Sequence, residues 1–224
     1  MGAKDPTTLI WWLVSRASGI VALGLATSAV LIGLTMSSKI MRRPGLGKTL
    51  MRLHEHLALV GLGAISIHGL ALLGDPWLHP GASGLTVPFT MSYRPLFTGL
   101  GVIAGYLAAL LGLSYYFRKR IGVKLWRRLH RATLLVWVLG VIHTLGAGSD
   151  AATMWLRAFV LLPSIPIAYL FVLRTFSSKK PKPRPRPSVA GSPSADRSLG
   201  GTPSGGEPHA HPKAGPPRLV RESL

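Results

Sequence analysis

Five apolar segments of membrane-spanning length occupy most of the chain. They lie at about residues 9–36, 50–74, 95–117, 126–147 and 154–176. A helix needs about 20 mostly apolar residues to cross the hydrocarbon core of a bilayer, where every backbone polar group must be paired within the protein. The sequence therefore predicts an all-α membrane protein whose membrane domain, residues 1–176, is a bundle of five transmembrane helices.

The remaining residues, 177–224, have a different composition. They begin KKPKPRPRP and continue with Pro, Gly, Ser and scattered charges. A segment of this kind cannot bury enough apolar surface to fold. We therefore expect a disordered basic tail behind the membrane domain.

Basic residues predict the orientation of the spans. Lys and Arg cluster between spans one and two, between spans three and four, and after span five, whereas the loops at about 75–94 and 146–154 are nearly free of them. Positive charge stays on the cytoplasmic side, so we expect the N-terminus outside and the C-terminus inside a cell (cytoplasmic) membrane. The net charge of +19 follows this pattern and does not form the aromatic-interleaved soluble face typical of nucleic-acid binding.

Histidines occur at regular positions in the second and fourth spans. His54 and His68 are 14 residues apart (68 − 54), and His130 and His143 are 13 apart (143 − 130). Ionisable residues inside spans are candidates for function. Both spans run from inside to outside, so His54 pairs with His130 near the cytoplasmic face and His68 pairs with His143 about 20 Å away near the outer face. Paired imidazoles on facing helices are typical of haem iron ligation.

The lack of cysteine narrows the choice of cofactor. The chain contains no cysteine, which excludes disulfides, a thiolate nucleophile, all-cysteine iron–sulfur clusters and covalent c-type haem. Two non-covalent haems b are therefore the predicted cofactors, with the four histidines as their iron ligands.

The helix phase of the two histidine pairs differs. On an ideal helix His54 and His68 are about 40° apart, whereas His130 and His143 are about 140° apart. A tightened turn, a kink near Gly140, or approach to the two haems from different sides would reconcile the fourth span, and the sequence leaves these three alternatives open.

Two residues share a face with the predicted ligands. Gly61 lies midway between His54 and His68, where a missing side chain either lets a bulky ring approach the backbone or serves close helix packing. Trp137 lies on the face of His130 to within about 20°. It is either a residue between the haems on the electron path or an ordinary core tryptophan.

Arginines near the ends of the spans are candidate partners of the haem propionates, which favour arginine. Arg131 lies at the inner level, together with Arg52, Arg127 and Arg128. Arg16 lies at the outer end of the first span, and Arg94 and Arg157 lie near the outer ends of spans three and five. The outer group is more informative, because a positive charge there runs against the topology rule.

A transporter is the alternative function. Glu55 and the buried histidines would then relay a proton or accompany a small solute. Regular histidine levels on two parallel spans are not expected for a relay, and no inverted repeat is evident. A structural membrane subunit would leave the four histidines without a role.

These histidine spacings resemble the ferric reductase-like transmembrane domain. This family includes ferric reductases, NADPH oxidase membrane domains and the haem-binding membrane subunit of the bacterial methionine sulfoxide reductase system. The resemblance covers about residues 9–176. It implies that His54, His68, His130 and His143 ligate two haems b, which carry electrons from a cytoplasmic reductant to an extracytoplasmic acceptor.

The resemblance also sets the expected partners. No region before the tail is long enough for a flavin or nicotinamide domain. We therefore expect an oxidoreductase membrane subunit, surrounded by lipid, that receives electrons from a separate flavoprotein or from a quinol. A flavin would bind to that partner or at the inner face. The expected acceptor is ferric ion, oxygen or a protein outside the membrane, and no nucleic-acid partner is expected.

Overall fold

The computed structural model describes residues 6–38 and 45–177. Within these ranges the structure contains eight helices and no strand. The helices are α1 (Pro6–Ser38), α2 (Leu46–Leu73), α3 (Gly81–Thr86), α4 (Pro95–Leu113), α5 (Arg118–Ile121), α6 (Val123–His130), α7 (Thr133–Ala147) and α8 (Met154–Ser177). Apart from Ser177, the predicted tail lies outside the described residues, as do Lys39, Arg42 and Arg43 of the first basic loop.

Five helical segments are long and apolar enough to cross a membrane. They are Leu9–Ser38, Leu46–Leu73, Pro95–Leu113, Val123–Ala147 and Met154–Phe176. The all-α fold with five spans is therefore confirmed, and the predicted boundaries differ by a few residues; the third span, for example, ends at Leu113 instead of residue 117. Large apolar side chains such as Val60, Leu110 and Leu162 are exposed on the outside of the bundle, as expected of surfaces that face lipid.

The packing of the helices leaves a space inside the bundle. Helix α1 packs along α2 and also contacts α7 and α8, while α4 packs along α7. The buried apolar core joins α1, α7 and α8 through residues such as Leu23, Trp137, Leu156 and Ile167. The α1–α2 pair and the α4–α7 pair therefore face each other across the interior of the domain.

The fourth span is interrupted immediately after His130. Helix α6 ends at His130 and α7 begins at Thr133. The Ala132 N–H donates to the Leu129 carbonyl oxygen (2.8 Å), which is a three-residue turn tighter than the α-helical one. The Thr133 hydroxyl donates to the His130 carbonyl oxygen (2.8 Å). Of the three alternatives for the phase mismatch, this is the tightened turn.

The segment between α2 and α4 folds over one end of the bundle. The buried Asp75 carboxylate accepts the backbone N–H groups of Trp77 (2.9 Å) and Leu78 (3.3 Å). Farther along, the Tyr106 hydroxyl of α4 donates to the Thr86 carbonyl oxygen (2.6 Å). These contacts hold the segment as an ordered cap over the end that contains His68 and His143.

Candidate metal centres

A large cavity lies between the two helix pairs. Its volume is about 1470 Å³, and all four predicted histidine ligands line it. A pocket for one drug-sized ligand measures about 300–1,000 Å³. The interior therefore has room for more than one such group, and the histidines reach it from both sides.

The histidines form two pairs across this cavity. The ring centres of His54 and His130 are 6.0 Å apart with an interplanar angle of 82°, and those of His68 and His143 are 6.1 Å apart at 74°. Each pair joins one histidine of α2 to one of the fourth span. The structure thus brings together the residues that the sequence predicted to share a level.

The ring separations fit a single metal ion between the members of each pair. A metal binds an imidazole nitrogen at about 2.0–2.1 Å and the nitrogen lies about 1.1 Å from the ring centre, so two imidazoles on opposite sides of one metal have centres about 6.3 Å apart. Among the described residues no group of three or more His, Cys, Asp or Glu could hold a metal ion. Two imidazoles alone suit a metal whose remaining ligands come from a macrocycle such as haem.

Three of the four imidazoles are oriented by backbone carbonyls of neighbouring helices. Nδ1 of His54 donates to Ala29 (2.9 Å), Nδ1 of His68 to Ser15 (2.7 Å) and Nδ1 of His143 to Phe97 (2.9 Å). Because a carbonyl only accepts, each Nδ1 carries the hydrogen and Nε2 keeps its lone pair. This is the usual arrangement of a histidine that ligates a metal through Nε2.

A glycine follows each of these carbonyls by four residues. Gly33 follows Ala29, Gly19 follows Ser15 and Gly101 follows Phe97. A Cβ at Gly33 would lie 3.3 Å from His54 Cε1, one at Gly19 would lie 2.9 Å from His68 Nδ1, and one at Gly101 would lie 2.6 Å from His143 Cε1. The imidazole can reach the carbonyl only because the residue one turn later has no side chain.

Sequence reasoning missed these glycines, although α1 contains a signal. Gly19 and Gly33 are 14 residues apart (33 − 19), the same interval as His54 and His68. In an antiparallel helix pair this equality places one glycine opposite each histidine. Gly101 has no such counterpart, because its position depends on how α4 packs against α7.

His130 differs from the other three histidines. Its Nδ1 is buried and has no hydrogen-bond partner, and the same is true of the nearby Trp126 Nε1. The two rings are stacked, with centres 5.0 Å apart and an interplanar angle of 23°. Trp126 therefore covers the face of His130, and no backbone carbonyl takes the place that Ala29, Ser15 and Phe97 take elsewhere.

Arg16, a predicted propionate partner, already has a protein partner. Its Nε and Nη2 donate to the two carboxylate oxygens of Asp150 (2.5 and 2.8 Å), and its guanidinium lies over the ring of Trp12. Of the other outer arginines, Arg94 donates to the Gly146 carbonyl oxygen and Arg157 to that of Ala151 (2.9 Å). Arg16 also lines the cavity, whereas Arg94 and Arg157 do not.

At the other end, Arg127, Arg131 and Arg174 line the cavity beside His130. Arg52 and Arg128 do not line it. Only part of the predicted inner arginine group is therefore placed to meet a ligand in the cavity.

Gly61 and Trp137 both line the cavity and both pack against α1. A Cβ at Gly61 would lie 3.4 Å from Leu25 Cβ, so this glycine serves the close packing of α1 on α2. Trp137 is buried in the core and its Nε1 donates to the Thr27 hydroxyl (3.0 Å). It lies along α7 between the levels of His130 and His143.

His56 follows His54 by two residues, which puts it about 160° farther around an ideal helix, so the sequence predicts an interfacial histidine that faces away from the predicted ligand His54. It is exposed, and its Nδ1 donates to the Arg52 carbonyl oxygen of its own helix (2.7 Å). It faces away from the cavity, which confirms the helix-phase argument that separated it from His54.

The fold defines a multi-pass membrane protein whose helical bundle encloses a cavity lined by two pairs of histidines. A family model described as "Ferric reductase like transmembrane component" matches residues 18–141, more than half of the chain, and the chain belongs to this family. The matched range includes His54, His68 and His130 and ends two residues before His143. The family supports transmembrane electron transfer as the general role, and its members generally bind haem and work with separate redox partners. No curated protein and no solved structure matches the chain.

Proposed function

We propose that this protein carries electrons across the membrane through two haems b, one between His54 and His130 and one between His68 and His143. The observation that carries the proposal is the pairing of imidazoles 6.0 and 6.1 Å apart across one cavity. The carbonyl contacts of His54, His68 and His143, which leave Nε2 free, give independent support.

The chain's own residues hold and separate the two redox groups. A haem bound between a pair would take up and release one electron at its iron. The histidines supply Nε2 atoms from helices that the packing holds apart, so little rearrangement accompanies a change of iron charge. The two pairs are 14 residues apart on the continuous helix α2, about 21 Å along its axis. Trp137 fills the bundle between the two levels.

Charged residues at the two ends of the cavity are suited to the haem carboxylates. Arg127 and Arg131 line the cavity at the end that contains His130, and a carboxylate bound there would accept charge-assisted hydrogen bonds from their guanidinium groups. At the His68 end Arg16 is the charged donor, and Asp150 fixes its orientation. The walls between these ends are mostly apolar.

The direction of transfer follows from the predicted orientation. The His54/His130 pair would face the cytoplasm and receive electrons from a separate flavoprotein or from a quinol, with any flavin on the partner or at the inner face. The His68/His143 pair, beneath the cap formed by residues 74–94, would pass them to an extracytoplasmic acceptor. We place the protein in the cell (cytoplasmic) membrane.

The transporter alternative has less support. A proton relay requires successive groups within hydrogen-bonding distance of each other. In the described structure the histidines contact each other within a level, and the hydrogen bonds of His54, His68 and His143 end on backbone carbonyls. The Glu55 carboxylate accepts a hydrogen bond from the Tyr116 hydroxyl (3.4 Å) and not from an imidazole.

The primary test is a reduced-minus-oxidised absorption spectrum with extracted haem quantified per chain. We expect about two haems b per chain, with the sharp bands of low-spin iron. Vesicles containing the purified protein should then pass electrons from external dithionite to trapped ferricyanide. Empty vesicles are the control. A protein that stays colourless after haem supplementation would exclude the proposed function.

The orientation can be tested by introducing a single cysteine. The sequence contains no cysteine, so the introduced residue supplies the single thiol that a reagent can label. Ser92 lies exposed in the cap and Lys124 lies exposed on α6. We expect an impermeant maleimide to label Ser92→Cys in intact cells and Lys124→Cys only after permeabilisation. The reverse labelling pattern would show that the orientation is inverted, and the proposed direction of electron transfer would then be inverted as well.

A further inference from the structure

The two histidine pairs differ in the hydrogen bonds of their imidazoles. Both members of the His68/His143 pair donate from Nδ1 to a carbonyl oxygen, and the Ser15 hydroxyl lies 3.2 Å from His68 Nδ1 as well. In the His54/His130 pair only His54 does so. An Nδ1–H that donates to an acceptor makes the imidazole a more basic ligand. A more basic ligand stabilises ferric iron and lowers the reduction potential of the site.

The side chain that lies against His130 offers no hydrogen-bond acceptor, because the indole N–H of Trp126 only donates. The indole is one helical turn before His130 and stacks on its ring. Nδ1 of His130 is too deeply buried to meet water, so the solvent cannot substitute for a protein acceptor. Trp126 therefore covers a face of the His130 ring without giving its Nδ1 a hydrogen-bond acceptor.

The charged residues that line the cavity also differ between the two histidine pairs. The charged residues that line the cavity near the His54/His130 pair are Arg127, Arg131, Arg174 and Glu55. Near the His68/His143 pair the charged lining residues are Arg16, Asp75 and Asp150. Positive charge favours the reduced, less positive iron and negative charge favours the oxidised iron. The net charge of these lining residues is positive near the His54/His130 pair and negative near the His68/His143 pair.

We propose that the two sites are unequal by construction, with the higher reduction potential at the His54/His130 pair and the lower at the His68/His143 pair. This inference rests on the proposed function, since it requires haem at both pairs. A haem bound at either pair would exchange one electron between ferric and ferrous iron, and the imidazoles of the pair would hold it without taking up a proton. The first electron taken from a donor then stays at the His54/His130 pair.

The consequence is an ordered filling of the two sites. The His68/His143 pair becomes reduced mainly after the other pair already holds an electron. A reduced His68/His143 site is the stronger reductant of the two, whereas an electron at the His54/His130 pair reaches the vacated outer site only against the difference in reduction potential.

The test is a potentiometric titration of the purified protein with dithionite, followed by absorbance and by the low-spin iron signals in electron paramagnetic resonance. We expect two separate one-electron waves. His143→Gly should abolish the lower wave and His130→Gly the higher one. Two sites that titrate together, or the opposite assignment of the waves, would overturn the proposal. A protein without haem would instead overturn the proposed function.

Substitutions at Trp126 separate the hydrogen-bond effect from a structural one. Trp126→Gln places an amide oxygen one turn before His130, within reach of its Nδ1–H, and should lower only the higher wave. Trp126→Phe keeps an apolar ring without an acceptor and should leave that wave nearly unchanged. Both variants lose the indole N–H of Trp126. This loss should not destabilise the protein, because the group is buried and has no hydrogen-bond partner. Equal shifts in both variants would count against the role of Trp126.

The charge effect has its own variant. Asp75→Asn keeps an oxygen that can accept the Trp77 and Leu78 N–H groups but removes the negative charge. We expect it to raise only the lower wave. An unchanged lower wave would show that the charges do not contribute to the difference.

Discussion

Purified His143→Gly protein is expected to contain one haem per chain where the unmodified protein contains two. His143 of α7 lines the cavity, and without it His68 alone would remain to hold a haem at this pair. The His54/His130 pair lies about 20 Å away along the helices and should keep its haem. The measurement is extracted haem per chain, together with the spectrum of the haem that remains.

Added imidazole distinguishes a ligand from a structural residue. The substitution removes a side chain beside a cavity of about 1470 Å³, so free imidazole can enter and occupy the vacated position. We expect it to return the haem content towards two per chain and to restore the low-spin bands. A histidine that only packed the core would show no such recovery.

His56→Gly is the matched control for this substitution. Glycine destabilises a helix by about 1 kcal/mol at either position. His56 is exposed and its hydrogen bond is to its own helix, so only this helix effect is shared by the two substitutions. We expect it to keep both haems. Equal haem loss in His56→Gly and His143→Gly would mean that the loss reflects weakened helices, and the ligand assignment of His143 would then be wrong.

The histidine pairs could be predicted because they depend on spacing along single helices. A 14-residue interval in one span and a 13-residue interval in another determine two levels without any knowledge of side-chain contacts. The charge pattern of the loops adds that the two spans are parallel. Helix periodicity and the membrane thickness therefore sufficed to pair His54 with His130 and His68 with His143.

The turn after His130 could not be predicted in the same way. Arg131 and Ala132 are compatible with a continuous helix, and neither glycine nor proline marks the break between α6 and α7. The kink that Gly140 suggested does not occur, since α7 continues through it. The Thr133 hydroxyl, which donates to the His130 carbonyl oxygen, does not mark the break either, because threonine makes the same contact in unbroken helices.

Partners far apart in the sequence were also beyond prediction. Arg16 and Asp150 form an ion pair between residues 134 positions apart, and the sequence showed only that Arg16 needed a partner. Gly61 was correctly placed on the ligand face of α2, but the register of α1 against α2 decides that it meets Leu25. Contacts between helices follow from packing, which composition and periodicity do not specify.

The glycines of the carbonyl contacts give the second large expected effect. In Gly101→Ala the new Cβ would lie 2.6 Å from Cε1 and 2.8 Å from Cγ of His143. It would therefore overlap the imidazole ring. The ring cannot withdraw without losing its hydrogen bond to the Phe97 carbonyl oxygen. Loss of such an outer contact typically costs 10–100-fold in metal affinity. We expect haem at the His68/His143 pair to fall strongly while the other pair keeps its haem.

The three glycines should form a graded series, because the available space differs. Gly101→Ala should have the largest effect on bound haem. Gly19→Ala, whose Cβ would lie 2.9 Å from His68 Nδ1, should follow, and Gly33→Ala, at 3.3 Å from His54 Cε1, should have the smallest effect. The first two act on the His68/His143 pair and the third on the His54/His130 pair. Haem content and wave-by-wave titration report both the size and the location of each loss.

Gly63→Ala controls for the substitution itself, because nothing lies within 4 Å of a Cβ at that position. Alanine is the better helix former by about 1 kcal/mol, so thermal stability in detergent should not fall in this control. Haem loss in Gly101→Ala with full haem in Gly63→Ala would show that the missing side chain is needed for the imidazole to reach its carbonyl. If Gly101→Ala retained two haems with unchanged spectra, α4 and α7 would have to separate without moving His143, and the proposed role of the glycine would be wrong.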